Sequence, residues 1–298
     1  MIAGMYAAIS GLDANQAMLN DTAGNLANVN TVGYKSSSMT FADSLTQVSR
    51  AAAGPTSTNG GSNPVQVGLG VQIESTRNEM TEGSFQTTNN PLDVAIEGNG
   101  FLRVGSGTPP AKEPYTSNIP AGLRYTRAGD LSTNTLGFLT TTAGEYVIGR
   151  NAVANEGETG TSYAPGKEDT YIRVPPGSTN VAIGQDGAVT YTDENKESPT
   201  YEKRVTAGFL SLATFSNEPG LERLGGSLWG QTPNSGFPIV GTPATAGYGS
   251  TIGGELEMSN VDLASEMTKM ITAERGYQAN SRVITTADEM LSSLIQMH

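Results

Sequence analysis

The chain has 298 residues, 17 Lys and Arg against 29 Asp and Glu, a formal net charge of −12, no cysteine and one histidine, His298. This balance argues against nucleic acid and anionic membrane surfaces as partners. It also removes disulfides, thiolate metal sites, thiol nucleophiles, His-based triads and multi-His metal sites.

The fifteen prolines all lie between Pro55 and Pro243, and Gly, Ser and Thr are dense in the same interval. Long helices are therefore expected at the two ends and not in the middle. No apolar run reaches the 18 residues of a membrane-spanning helix. The start, MIAGMYAAISGLDANQ, lacks a Lys or Arg before its apolar part. It does not read as a cleavable secretory signal, so export would take another route.

At the N-terminal end, Met5, Ile9, Leu12, Gln16, Leu19, Ala23 and Leu26 recur at 4-3 spacing. That heptad stripe predicts a helix over 3–28, about 40 Å long. Its only charges are Asp13 and Asp21, so much of its surface is expected to be covered. The stretch NLANVNTVGYK (25–35) should end the helix, because Asn disfavours helix interiors and favours caps and turns.

The middle of the chain reads as β. VQVGLGVQIES (65–75) alternates. DVAIEGNGFLRV (93–104) predicts two strands joined in a hairpin at Gly98-Asn99-Gly100. Residues 123–149 read as a meander with turns near Asn134 and Gly144. A hairpin is expected over 181–192, turning at Asp186-Gly187, and the most apolar strand over 203–216. Loops are expected at 50–63, 105–122, 155–168 and 217–253, the last long enough to wrap the body or stay mobile. Trp229 within it is expected to anchor packing.

At the C-terminal end Asn260 is the expected N-cap, with Asp262 in the first turn. Leu263, Met267, Met270, Glu274, Tyr277, Ser281, Ile284, Asp288, Leu291 and Ile295 keep 4-3 spacing and predict a helix over 261–296, about 55 Å long. The pair Glu274-Arg275 reads either as a solvated face or as an inter-subunit contact. The fold class is thus mixed and mainly β: a β-rich body inserted between long terminal helices that pair as a coiled coil. The expected domains are 1–35 with 259–298, and 36–258 as one or more β domains, with room for a sub-domain at about 150–240.

Catalytic chemistry is not in view. Asp130 and Asp186 sit in turn contexts, where backbone hydrogen bonding is the usual role. Gly98-x-Gly100 is followed by Phe101 and not by a helix, so it is no phosphate cradle. No enzyme activity, cofactor or metal is expected. A carboxylate-pair glycosidase or a monomeric surface-binding protein are the rival readings.

NLANVNTVGYK (25–35) resembles the N-terminal signature of the bacterial flagellar rod and hook axial proteins. NPLDVAIEGNGFLRV (90–104) and YTRAGDLSTNTLGFLTTTAGEYVIG (125–149) are similar to the opening of their β domain. SNVDLASEMTKMITAERGYQANSRVITTADEMLSSLIQ (259–296) is similar to their C-terminal helix. The matches follow family order. Residues 63–75 and 275–291 look most like hook, whereas the modest length is nearer distal rod.

The resemblance implies a non-enzymatic subunit of the hook, or alternatively of the distal rod. Such a subunit is exported by the flagellar type III apparatus and polymerises into a helical tube around a channel. The hook polymer transmits motor torque. The implied partners are copies of itself, neighbouring rod or hook-junction proteins and the hook cap. The family carries axial subunit contacts at the Asn-rich turn, which implies that role for Asn25, Asn28 and Asn30. The expected contact surface adds Ile9, Leu12, Leu19 and Leu26, with Met267, Met270, Tyr277, Ile284 and Leu291. The terminal helices are expected to order on assembly, when neighbours bury them.

Overall fold

The computed structural model describes residues 2–55, 60–110, 115–116, 119–120, 122–154, 163–194 and 203–297. Parts of the expected loops at 50–63, 105–122 and 155–168 lie outside the described residues. The chain divides into two compact units. The first comprises 1–28, 36–79 and 261–298; the second comprises 29–35 and 80–260.

In the first unit, α1 (Ile2–Ala27) and α2 (Leu263–Gln296) run antiparallel. Gly11 lies against Asn280, Gly276 against Asn15, and Asn25 bonds Glu266, so one number rises as the other falls. Their seam runs through small and polar residues. The side chains buried along it are Ala8, Ala14, Thr22 and Asn25 on α1 and Glu266, Ala273 and Ala287 on α2. Small residues let two backbones approach closely, and close approach then forbids larger ones. A Cβ on Gly11 would stand 2.5 Å from Asn280 Nδ2, and one on Gly276 would stand 2.5 Å from Asn15 Oδ1. Each Asn therefore lies over the glycine of the opposite helix.

The helix cap also differs from expectation. Asp262 is the N-cap of α2, its carboxylate accepting from Ala264 N at 2.9 Å. Asn260 instead donates to the carbonyl and hydroxyl of Thr81 in the second unit. An Asp at the cap adds a charge favourable to the helix dipole, which an Asn does not.

The first unit also holds a β ribbon. Ser37–Asp43 pairs antiparallel with Val71–Asn78, and Thr46–Arg50 pairs with Val65–Gly68. The outgoing strands, 37–43 and 46–50, carry no clean alternation and were not predicted. The returning strand, predicted as one piece over 65–75, breaks at Gly70, whose φ of 130° only glycine adopts readily. There the Ser10 hydroxyl of α1 accepts from Val71 N at 3.2 Å.

The second unit is built on a sheet system of thirteen strands. Its main core gathers Val94, Ile96, Leu102, Val104, Leu139, Val147, Ile172, Leu210 and Leu212 with their neighbours. The predicted hairpin at 98–100 does not form. Val94–Glu97 pairs with Ser250–Gly253, whereas Phe101–Gly105 pairs with Arg124–Thr126, Tyr146–Ala154 and Leu212–Thr214. The Gly-Asn-Gly stretch is a corner between sheets. Gly98 and Gly100 both have positive φ, and Gly100 lies against Leu212.

Other expectations hold. Leu131–Thr133 turns through Asn134 into Leu139–Thr141, with Asn134 Oδ1 accepting from Leu136 N and Phe138 N. Thr179–Ile183 and Ala188–Thr192 form the hairpin at Asp186-Gly187. The strand over 203–216 splits into Arg204–Leu210 and Leu212–Thr214.

The region 217–253, predicted as loop, contains four short strands: Glu222–Gly225, Leu228–Gly230, Ile239–Gly241 and Ser250–Gly253. They are too short to show a period in sequence and are fixed by pairing with distant partners. Trp229 is 2% exposed and packs with Phe101, Tyr125 and Phe215, an anchor as expected. Among the described residues no helix is long and apolar enough to cross a membrane.

Candidate assembly surfaces

With small and polar residues buried along the α1–α2 seam, many of the large apolar side chains of both helices stay partly or largely exposed. Ile9 is 43% exposed, and Leu12, Leu19 and Leu26 are half-buried. On α2, Met267 is 50% exposed and Tyr277 is also exposed, while Met270, Ile284 and Leu291 are half-buried. Tyr6, Ile271, Val283, Met290 and Leu294 are exposed as well and were not in the predicted set. Their signal was present: once Ala8, Gly11 and Ala273, Gly276 are taken as the seam, these residues fall on the outer faces. The predicted stripe contained large residues and the buried one contained small ones.

The Asn-rich turn separates into three roles. Asn25 is fully buried inside the first unit. Its Nδ2 donates to Ser37 O at 2.8 Å and to Glu266 Oε2 at 3.1 Å, and its Oδ1 accepts from Ser37 N at 3.0 Å. Lys269 Nζ holds the other oxygen of Glu266 at 2.7 Å, and the Ser37 hydroxyl bonds Asp21. This polar knot joins α1, the start of the ribbon and α2. Asn28 donates to the Gly24 carbonyl at 2.9 Å, satisfying one of the last carbonyls of α1. Asn30 is exposed.

Residues 33–35 are docked in the second unit. Gly33, at φ 65°, donates its N–H to Glu257 O at 2.8 Å and presses against the backbone of Arg127 and Ala128. Tyr34 receives Arg223 Nη1 on its hydroxyl at 2.9 Å, and the same guanidinium lies over the Tyr34 and Trp229 rings. Lys35 is 1% exposed. Its Nζ bonds Glu257 Oε1 at 2.5 Å and Thr81 O at 2.7 Å.

Arg127 approaches the other Glu257 oxygen at 3.3 Å, and Gly83 N donates to Oε1 at 3.0 Å. Burial pulls the Lys35 ammonium below its usual range; Glu257 opposes that shift and Arg127 adds to it. Nothing in the sequence marked Lys35, Arg127 and Glu257 as partners, because they lie in three distant segments. Among the described residues no group of three or more His, Asp and Glu is placed to hold a metal ion.

Three family models match in chain order: "Flagella basal body rod protein" over 5–35, "Flagellar hook protein FlgE/F/G D1 domain" over 95–191, and "Flagellar basal body rod FlgEFG protein C-terminal" over 252–297. The flagellar basal-body rod protein FlgG of Bacillus subtilis is 35% identical over 298 residues, 100% of this chain and 99% of the relative. The chain belongs to the flagellar rod and hook family.

That family is structural and non-enzymatic, part of the flagellum, and its members polymerise. The FlgG protein of Agrobacterium fabrum is 37% identical over 287 residues, 96% of this chain and 95% of the relative. The flagellar hook protein FlgE of Borreliella burgdorferi is 23% identical over 440 positions that span both chains. Within the rod and hook family, whole-chain similarity therefore favours the distal-rod alternative over the hook reading taken from residues 63–75 and 275–291.

Proposed function

We propose that this chain is the distal rod subunit, polymerising into a tube within the basal body. The observation that carries the reading is full-length similarity to rod proteins of matching length, at 35–37% identity, against 23% to a hook protein whose alignment extends to 440 positions.

The outer faces of α1 and α2 supply the subunit contacts. Ile9, Leu12, Leu19 and Leu26 with Met267, Met270, Tyr277, Ile284 and Leu291 form apolar tracks that one chain leaves open and neighbouring copies would cover. An interface of this kind, built from different patches on each copy, propagates a filament when its rotation does not close. Of the three Asn residues, Asn30 is the one whose exposure suits an axial contact. The further partners of this reading are the neighbouring rod and hook proteins and the type III export apparatus, and its place is the cell-envelope part of the flagellum.

The test is complementation. The gene is introduced into bacteria lacking their own distal rod protein, and separately into bacteria lacking their hook protein. Swimming restored in the first strain alone is expected. Restoration of the hook-deficient strain alone would overturn the assignment.

A further inference from the structure

The corner Gly98-Asn99-Gly100 holds its backbone tightly and leaves one side chain loose. Gly98 N donates to Glu82 Oε1 at 2.7 Å, and Gly98 O accepts from Arg127 Nη2 at 2.7 Å. Asn99 O accepts from Gly249 N at 2.8 Å. Gly100 is buried against Leu212, at a φ of 134°. These contacts fix the main chain on both sides of Asn99. The Asn99 side chain itself is exposed and makes no hydrogen bond among the described residues. The N–H of Gly100 finds no acceptor among them either.

Those two free groups are the ones that can react with each other. Closure of the Gly100 nitrogen on Asn99 Cγ makes a five-membered ring, and the two are already joined through the chain, so no encounter is needed. Glycine carries no Cβ to hinder the approach. The nearby asparagines lack this pairing. Asn90 precedes Pro91, which has no N–H, and the Asn90 nitrogen that Asn89 would need donates to Thr88 Oγ1 at 3.4 Å.

We propose that Asn99 is a site of spontaneous deamidation. The Gly100 nitrogen attacks Asn99 Cγ and forms the N–Cγ bond. The Cγ–Nδ2 bond breaks, and ammonia leaves with the Gly100 amide proton. Water then opens the succinimide, at Cγ to give aspartate or at the Asn99 main-chain carbonyl to give isoaspartate. One water is consumed and one ammonia released, with no oxidant or reductant. Either product puts a new carboxylate in the hollow that Asn99 lines with Glu82 and Glu97, where like charges repel. Isoaspartate also lengthens the main chain by one atom where Asn99 O holds Gly249 N. The inference is independent of the assignment as rod subunit.

The experiment incubates the full chain at neutral pH for days, digests it with trypsin and sequences the peptide Asn78–Arg103 by tandem mass spectrometry. A synthetic peptide of the same residues, incubated alongside, gives the rate without the fold. Deamidation of Asn99 in the folded chain at no less than about a third of the peptide's rate is expected, with isoaspartate among the products and Asn89 and Asn90 lagging. A slower rate overturns the proposal, because the corner then shields Asn99. Equal deamidation at all three asparagines does the same. So does aspartate without isoaspartate, which marks direct hydrolysis and not attack by the Gly100 nitrogen.

Discussion

Lys35→Met tests the docking of the Gly33–Lys35 segment most directly. The substitution keeps the apolar stem and removes the ammonium. Glu257, which is fully buried, then loses its partner at 2.5 Å and keeps Arg127 at 3.3 Å, while the Thr81 carbonyl loses its Nζ donor. Breaking one partner of a buried pair costs about 3–5 kcal/mol. Arg127 and the Gly83 N–H remain on the carboxylate, so the low end, about 3 kcal/mol, is the expected loss. For a unit of roughly 150–250 residues this lowers the melting midpoint by about 6–12 °C.

The assay is thermal unfolding followed by Trp229, the only tryptophan, buried in the same unit. The pH dependence supplies a second reading. Burial holds the Lys35 pKa below its usual value of 10.5, so between the folded and unfolded values the unfolded state binds more protons. Stability relative to Lys35→Met should therefore rise as pH rises through that window toward 10.5, and stay level below it. A midpoint shift under about 2 °C for Lys35→Met would refute the clamp, because a buried carboxylate cannot lose its nearest cation at so little cost.

Gly276→Val should force the α1–α2 seam apart, since its Cβ would meet Asn15 Oδ1 at 2.5 Å; a loss of about 1–3 kcal/mol is expected, read as reduced helicity by circular dichroism with Trp229 fluorescence unchanged. Unaltered helicity and stability would show that the helices do not approach this closely. Asn25→Ala removes three hydrogen bonds at a fully buried site, and amides around Ser37 and Glu266 should exchange at least tenfold faster; unchanged exchange would separate the knot from the stability of this unit. Leu19→Asp or Ile284→Asp should block filament formation in electron micrographs and leave the second unit folded, whereas normal filaments from both variants would dismiss the helix faces as contacts.

The helices were legible in the sequence, and the seam between them was not. Heptad spacing located both helices, because an apolar repeat at 3.5–3.6 residues is a property of the local chain. The same spacing did not say which face the two helices bury against each other. Ile9, Leu12 and Leu19 read as a contact stripe for neighbouring subunits, and it is Ala8, Gly11 and Ala14 that are buried on this helix. A chain whose helices meet through small residues leaves its large ones outside, and one sequence does not say which face a partner takes. Asn25 read as a turn former and is instead a buried connector, since its acceptors come from Ser37 and Glu266, the latter 241 residues away.

The sequence by itself determined the terminal helices, the proline-bounded β middle, the turns at Asn134 and Asp186-Gly187, the absence of thiol chemistry, and the family through motifs in order. These features are set by composition and by contacts between residues a few positions apart. Only the tertiary structure decided that Gly98–Gly100 is a corner and not a hairpin, that 217–253 is ordered into short strands, and that Lys35, Arg127 and Glu257 share one buried cluster. Each of those depends on pairing between segments tens to hundreds of residues apart. The free energy that fixes them comes from partners that no local pattern records.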